Sequence, residues 1–263
     1  MKKLTLPFFK YQGTGNDFVI IDGILNDVSL INNSDVMELC DRKFGIGADG
    51  LMIISKNKTF DFEMIYYNAD GGLSTMCGNG GRCIAALAHE LGYSGTEVRF
   101  LAADGPHFAT IKAEEVALGM SDVKTIETIN SSDYVLNTGS PHYVRFTEKE
   151  DLINIVETGK KIRYSAQYKT DGINVNLCFW DGEFLHVATY ERGVENETLS
   201  CGTGVTAAAL AAALHYGLES PINIQTKGGM LSVSFDQQKS SYYQVILIGP
   251  ATRVFTGTIE LKQ

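Results

Sequence analysis

The sequence predicts an α/β (mixed α+β) protein of two pseudo-symmetric domains, each a mainly antiparallel sheet wrapped around a central helix. Three observations lead there. Cys77-Gly78-Asn79-Gly80 opens a small-residue run, Ile84-Ala85-Ala86-Leu87-Ala88, that stops at Gly92; Cys201-Gly202-Thr203-Gly204 opens a matching run, Ala207-Ala208-Ala209-Leu210-Ala211, that stops at Gly217. The two cysteines lie 124 residues apart (201 minus 77), and other landmarks keep that spacing without a gap. Gly15-Asn16 falls on Gly139-Ser140, Gly50 on Asn174 and Gly105 on Gly229. Alternating apolar positions agree as well, Val98 and Phe100 meeting Ile222 and Ile224. One shared short motif is weak evidence, whereas several landmarks on one offset mark a duplicated unit.

The elements follow in order. Residues 18–21, 51–54 and 62–66 are short β-prone runs in the first half, and 143–146, 175–179 and 184–189 are their counterparts. Ser34 is placed to cap a helix reaching about Lys43, with Gly45 just beyond. Thr147 and Glu150 make a capping-box pattern for a helix ending near Gly159. Residues 254–261 alternate and are placed to return beside the first half. The expected domains are therefore 1–121, joined by a strand at 252–263, and 122–251, with the junction in the polar stretch 121–132. The two Ala-rich helices are apolar all round, which suits complete burial inside a sheet.

Composition excludes several classes. The net charge is −9 and the basic residues are dispersed, which argues against nucleic-acid binding. No apolar run approaches the roughly 20 residues that span a bilayer. Lys10 cuts short the apolar stretch after Met1-Lys2-Lys3 and no small-residue cleavage site follows, so the N-terminus reads as mature protein and the cytoplasm as the expected compartment. Five cysteines in this spacing fit neither a disulfide framework nor a zinc site, and no metal or cofactor is expected. Cys40, Cys83 and Cys178 lie inside apolar runs and read as core packing, while His89, His107, His186 and His215 have no partner at ligand spacing.

Cys77 and Cys201 differ from these three. Each stands immediately before a helix, among glycines that let the backbone approach a ligand. The first helical turn has unpaired N–H groups and a partial positive charge, which favours thiolate over thiol and forms a site for a carboxylate. Two such helix starts, one per half, are expected to face each other across a cleft between the domains, with a thiol on either side of a substrate α-carbon. Inverting a stereocentre needs a base on one face and an acid on the other, and cysteine can serve as both. The alternative is a pair of buried structural cysteines beside helix-packing glycines, which the duplication disfavours. Asn68-Ala69-Asp70-Gly71 and Tyr190-Glu191-Arg192-Gly193 precede the cysteines, with Asn68 falling on Arg192. Arg192 can bind a carboxylate in bidentate fashion, and Glu191 can hold an amino group or polarise a thiol. Gly139-Ser140-Pro141-His142 reads as a rigid turn. Gly13-Thr14-Gly15-Asn16-Asp17 superficially has the look of a dinucleotide loop but is read as lacking the preceding strand and following helix.

Together these residues resemble the diaminopimelate epimerase family over almost the whole chain, from Gly13 to Ala251. The most specific parts are Asn68-Ala69-Asp70-Gly71, Cys77-Gly78-Asn79-Gly80, Glu191-Arg192-Gly193 and Cys201-Gly202-Thr203-Gly204. The resemblance implies two pseudo-symmetric domains, no pyridoxal phosphate or metal, and interconversion of L,L- and meso-diaminopimelate for lysine and peptidoglycan synthesis. It implies Cys77 and Cys201 as base and acid, exchanging roles with direction, and His142 and Glu191 as residues that assist them. It implies Asn16, Asn68, Gly78, Asn79, Asn174, Glu191, Arg192, Gly202 and Thr203 as substrate-binding, several of them at the distal amino-acid end, and a possible homodimer. Two positions depart from the family pattern: Ser140 stands where many members have an Asn, and Gly50 where some have a Gln. The readings left open are a two-cysteine racemase for another amino acid, such as histidine or hydroxyproline, and a non-catalytic amino-acid-binding or thiol-redox protein.

Overall fold

The computed structural model describes residues 3–262. In chain order the elements of the first stretch are β1 (Lys3–Gly13), β2 (Asn16–Asp22), α1 (Asn33–Cys40), β3 (Gly50–Ser55), β4 (Phe62–Asn68), β5 (Leu73–Ser74), α2 (Gly78–Glu90), β6 (Glu97–Ala102), β7 (Gly105–Lys112) and β8 (Glu115–Gly119). Then come β9 (Glu127–Thr128), β10 (Asp133–Asn137), β11 (Pro141–Phe146), a 3₁₀ turn (Lys149–Asn154), α3 (Ile155–Arg163), β12 (Asn174–Trp180), β13 (Leu185–Glu191) and β14 (Asn196–Thr198). The chain ends with α4 (Gly202–Tyr216), β15 (Ile222–Thr226), β16 (Gly229–Gln238), β17 (Ser241–Pro250) and β18 (Thr252–Lys262). It divides into two compact units, Met1–Leu118 with Pro250–Gln263, and Gly119–Gly249.

The first unit orders its strands β18-β1-β2-β3-β4-β6-β7-β8, with β5 also on β4. The second orders them β9-β10-β11-β12-β13-β15-β16-β17, with β14 on β13. Among the described residues the parallel pairs within the units are β2–β3 and β4–β6 in one and β11–β12 and β13–β15 in the other. The offset of 124 survives at the level of register: Phe18 opposes Gly50 as His142 opposes Asn174, and Ala102 opposes Gly105 as Thr226 opposes Gly229. It slips by one at β13. Phe62 opposes Phe100, yet the partner of Ile224 is Leu185 rather than His186, because the fully buried apolar residue keeps the core position.

Each unit wraps its sheet around one helix. In α4 every residue from Val205 to Ala213 is buried, the alanines letting strands approach closely on several sides. Gly217 ends it in the left-handed conformation (φ 69°) that a C-terminal cap favours. The shorter helices cover the outer faces. Val36, Leu39 and Cys40 of α1 pack on Leu51 and Ile53, and Ile155 of α3 packs with Val175, Leu177 and Tyr190.

Several local expectations are corrected. The cap of α1 is Asn32, not Ser34: its Oδ1 accepts the N–H groups of Ser34 (2.9 Å) and Asp35 (3.2 Å), and Asp35 accepts that of Asn32 (2.9 Å). That helix stops at Cys40 because the Asp41 carboxylate takes the next N–H groups, those of Lys43 and Phe44. The Thr147 hydroxyl bonds Asp151 instead of capping, the 3₁₀ turn intervenes, and α3 runs past Gly159 to Arg163. Gly159 is there for space, since a Cβ would lie 2.4 Å from that of Tyr190. A strand does precede Gly13-Thr14-Gly15-Asn16, but so does a strand follow. Thr14 (φ 49°) and Gly15 (φ 86°) form a two-residue hairpin turn of the kind whose twist suits paired strands. In the second unit Val123 bridges Tyr242 and Glu127 opposes Val135.

Candidate active site

Both cysteines are the N-cap residues of the central helices. Cys77 (φ −111°, ψ 145°) precedes α2 and Cys201 (φ −118°, ψ 114°) precedes α4, each with extended backbone. The Cys77 Sγ accepts the Gly80 N–H at 3.1 Å. First-turn N–H groups have no intrahelical acceptor, and here they belong to Gly78, Asn79 and Gly80 in one unit and Gly202, Thr203 and Gly204 in the other. The second glycine of each motif is closely surrounded, more tightly at Gly204. A Cβ at Gly80 would meet Cys77 Sγ and Met52 Sδ at 3.2 Å, and one at Gly204 would meet Asn176 Oδ1 at 2.6 Å and Cys201 Cβ at 3.2 Å.

In the first unit the structure gathers Asn16, Cys77 and Asn79. The Asn16 Oδ1 accepts from Asn79 Nδ2 (3.3 Å) and lies 3.9 Å from Cys77 Sγ, while its Nδ2 donates to Asp49 (2.6 Å). Asp49 is held by Arg42 (2.7 Å), Arg42 by a two-pronged contact with Asp17 (2.7 and 3.0 Å), and Asp17 by the buried Lys10 (2.7 Å), which also donates to the Gly47 carbonyl. Burial works to raise the Asp17 pKa, but the hydrogen bonds from Arg42 and Lys10 outweigh it and hold the group at about 2. Asn68 ends β4 with an exposed side chain and opposes Gly50.

In the second unit His142, Asn174, Cys201 and Thr203 come together. His142 is fully buried; its Nε2 is 2.9 Å from the Thr203 hydroxyl, which is 3.5 Å from Cys201 Sγ. Its Nδ1 faces Asn176 Nδ2 at 3.1 Å. Burial, and secondarily the charge of Arg192, pushes the His142 pKa down to about 3. Asn174 donates to the Ser140 hydroxyl (2.9 Å) and accepts the Arg192 backbone N–H (2.8 Å). The Arg192 guanidinium is exposed and donates to the Asp171 carbonyl (2.9 Å), and the half-buried Glu191 ends β13 beside it.

The other three thiols are buried in the cores, and burial drives the pKa of Cys40 up to about 11, that of Cys83 to about 12 and that of Cys178 further upward. Only the duplicated pair stands at helix starts.

A family model described as diaminopimelate epimerase matches residues 8–126 and again 134–254. The chain belongs to the diaminopimelate epimerase family. It is 45% identical to the diaminopimelate epimerase of Flavobacterium psychrophilum, over 97% of this chain and 100% of that one. It is 39% identical to the diaminopimelate epimerase of Chlorobaculum tepidum, over 95% and 100% of the two. Solved structures extend the fold to distant proteins. A phenazine biosynthesis protein of the PhzF family from Bacillus anthracis superimposes with a TM-score of 0.76 at 14% identity, covering 100% of each chain. A hydroxyproline epimerase from Agrobacterium vitis does so with a TM-score of 0.70 at 14% identity, covering 98% of this chain and 93% of that one.

The two departures from the epimerase family pattern have structural correlates. Ser140 is occupied as the acceptor of Asn174. No side chain fits at position 50, because a Cβ would lie 2.5 Å from the Tyr66 ring and 2.6 Å from the Tyr67 carbonyl. Sequence reasoning missed Asp49, Arg82 and Asn176. Arg82 is 0% exposed within α2, and its hydrogen bonds all go to neutral acceptors: Asn79 Oδ1 (3.2 Å), Gly78 O (3.3 Å), Thr14 Oγ1 (3.4 Å) and Pro250 O (3.4 Å). Its signal was a single charge inside a small-residue helical run. For Asn176 the signal was Asn174-Val175-Asn176, two amides on one face of a strand whose neighbours are apolar.

Proposed function

We propose that this protein is an isomerase that interconverts L,L- and meso-diaminopimelate by two-thiol acid–base chemistry without a cofactor. The observation that carries the reading is the duplicated N-cap cysteine, in a chain whose relatives carry the name diaminopimelate epimerase. One cysteine, as thiolate, takes the α-hydrogen: the C–H bond breaks and an S–H bond forms. The other, as thiol, delivers its proton to the opposite face of that carbon and is left as thiolate. The reverse reaction exchanges the roles of Cys77 and Cys201. Negative charge that spreads onto the substrate carboxylate as the hydrogen leaves is stabilised by first-turn N–H groups, those of Gly78 and Asn79 and of Gly202 and Thr203 being the available donors.

Asn16, Asn68, Asn174, Glu191 and Arg192 supply donors and acceptors for a substrate that is polar at both ends, which supports diaminopimelate over proline-like or histidine-like substrates. His142 and Glu191 assist the thiols. Lysine and peptidoglycan precursor synthesis, cytoplasmic residence and a homodimeric assembly belong to the same reading. The test is stereochemical conversion of L,L-diaminopimelate measured beside L-histidine, L-proline and 4-hydroxy-L-proline under reducing conditions. Conversion of diaminopimelate alone is expected. Preferential conversion of one of the others would transfer the chain to another substrate class.

A further inference from the structure

The side chain of His142 is enclosed, and the groups around it decide which of its nitrogens carries hydrogen. Asn176 is fully buried on β12, one strand from His142 on β11. Its Nδ2 lies 3.2 Å from the Tyr143 carbonyl oxygen, which can only accept, so the amide nitrogen must point that way. The second hydrogen of that nitrogen is directed at His142 Nδ1, 3.1 Å away. The amide oxygen on the other side accepts from the buried Thr189 hydroxyl at 2.9 Å. An imidazole nitrogen that receives a hydrogen bond from an N–H cannot itself carry hydrogen, which places the proton on Nε2.

We infer that Asn176, locked by Thr189 and the Tyr143 carbonyl, is a positioning residue that holds His142 neutral as its Nε2–H tautomer. In this role His142 is a fixed hydrogen-bond donor, handing its Nε2–H to the Thr203 hydroxyl 2.9 Å away, while Asn174 Nδ2, 3.5 Å from Nε2, directs its two hydrogens to the nearer Ser140 hydroxyl (2.9 Å) and Pro141 carbonyl (3.3 Å). It does not shuttle a proton. Thr203 is then free to turn its own hydrogen toward Cys201 Sγ at 3.5 Å. A second proton on His142 would have to sit at Nδ1 against the Asn176 N–H, so the imidazolium is disfavoured by geometry as well as by burial. Arg192 acts in the same direction and Cys201 is the nearby titratable group on α4. The inference refines the proposed epimerase reading but stands on contacts within one unit, so it can be tested without activity.

The experiment is nitrogen-15 NMR of the histidine rings in the intact protein, with His142 assigned by His142→Gln. The wild type is expected to show the Nε2–H pattern from pH 5 to 9 (about the range in which an ordinary histidine titrates) with no conversion to the cation. Asn176→Asp replaces the donor facing Nδ1 by an acceptor and is expected to move hydrogen onto Nδ1, giving the opposite tautomer or the cation. Asn176→Leu removes the restraint with little change in volume, and a mixed tautomer population is expected if Asn176→Asp does not fold. An Nδ1–H or titrating His142 in the wild type, or an unchanged pattern in the folded Asn176 variants, would overturn the inference. Absent epimerase activity with the expected NMR pattern would instead count against the proposed function alone.

Discussion

Gly204→Ala separates the stability of α4 from the order of the site it starts. In a helix, exchanging Gly for Ala ordinarily gains up to about 1 kcal/mol. Here the new Cβ would lie 2.6 Å from Asn176 Oδ1 and 3.2 Å from both Cys201 Cβ and Thr189 Oγ1. Ordinary contact begins at 3.4 Å, so the amide or the helix start must move by about 0.8 Å (3.4 minus 2.6). That displacement weakens the Asn176 hydrogen bonds, worth about 1 kcal/mol each, and adds packing strain of about 1–3 kcal/mol. Offset by the propensity gain, the net loss is about 1–2 kcal/mol, or a fall of a few degrees in Tm. The effect on turnover is larger, because misplacing catalytic groups by about 1 Å can cost about 10²-fold. The assays are scanning calorimetry and kcat/KM for L,L-diaminopimelate. The control is Gly95→Ala, whose Cβ meets nothing within 4 Å and which should change neither. A Gly204→Ala enzyme within about three-fold of wild type would refute the claim that close approach, not helix propensity, selects glycine there.

Other outcomes follow from the same contacts. Cys77→Ala and Cys201→Ala should each abolish epimerisation while Tm stays within a few degrees of wild type, measured by chiral chromatography and calorimetry. Iodoacetamide on the native protein should label Cys77, which is half-buried, ahead of Cys40, Cys83 and Cys178, whose burial raises their pKa values; peptide mass spectrometry reads this directly. Asp17 has a folded pKa of about 2, below its unfolded value, so its stabilising contribution is present above about pH 4 and is lost as pH falls toward 2. Asp17→Asn should therefore flatten the pH dependence of denaturant midpoints in that window, and an unchanged slope would count against the Lys10–Asp17–Arg42 network.

The duplication was legible because a gapless offset survives in small residues: the cysteines, the glycines two and four places on from the residue before each cysteine, and the alanines of α2 and α4. At Gly204 an added Cβ would lie 2.6 Å from Asn176 Oδ1, and the alanines at 207–209 and 211–213 of α4 are buried, so small residues recur at these places and their spacing exposes the repeat. Helix boundaries were less legible. Asn32 outcompetes Ser34 as a cap because Asp35 completes a reciprocal box with it, and Gly159 sits inside α3 because Tyr190 presses on it rather than because the helix ends. The polar supports of the site were the least legible. Asp49 and Asn176 act through contacts with residues 33 and 34 positions away (Asn16 and His142), which no local pattern announces. The slip at β13 belongs to the same class, since it depends on which of Leu185 and His186 the core accepts.

The central claim is that Cys77 and Cys201 act as the two members of one acid–base pair, and solvent exchange tests it most directly. Incubated in deuterium oxide with L,L-diaminopimelate and a thiol reductant but no added cofactor, the protein should incorporate solvent deuterium at the α-carbon as the meso product forms. Each cysteine-to-alanine variant should fail to produce meso product. Epimerisation that survives loss of either thiol, or conversion without deuterium entering the α-position, would contradict the account.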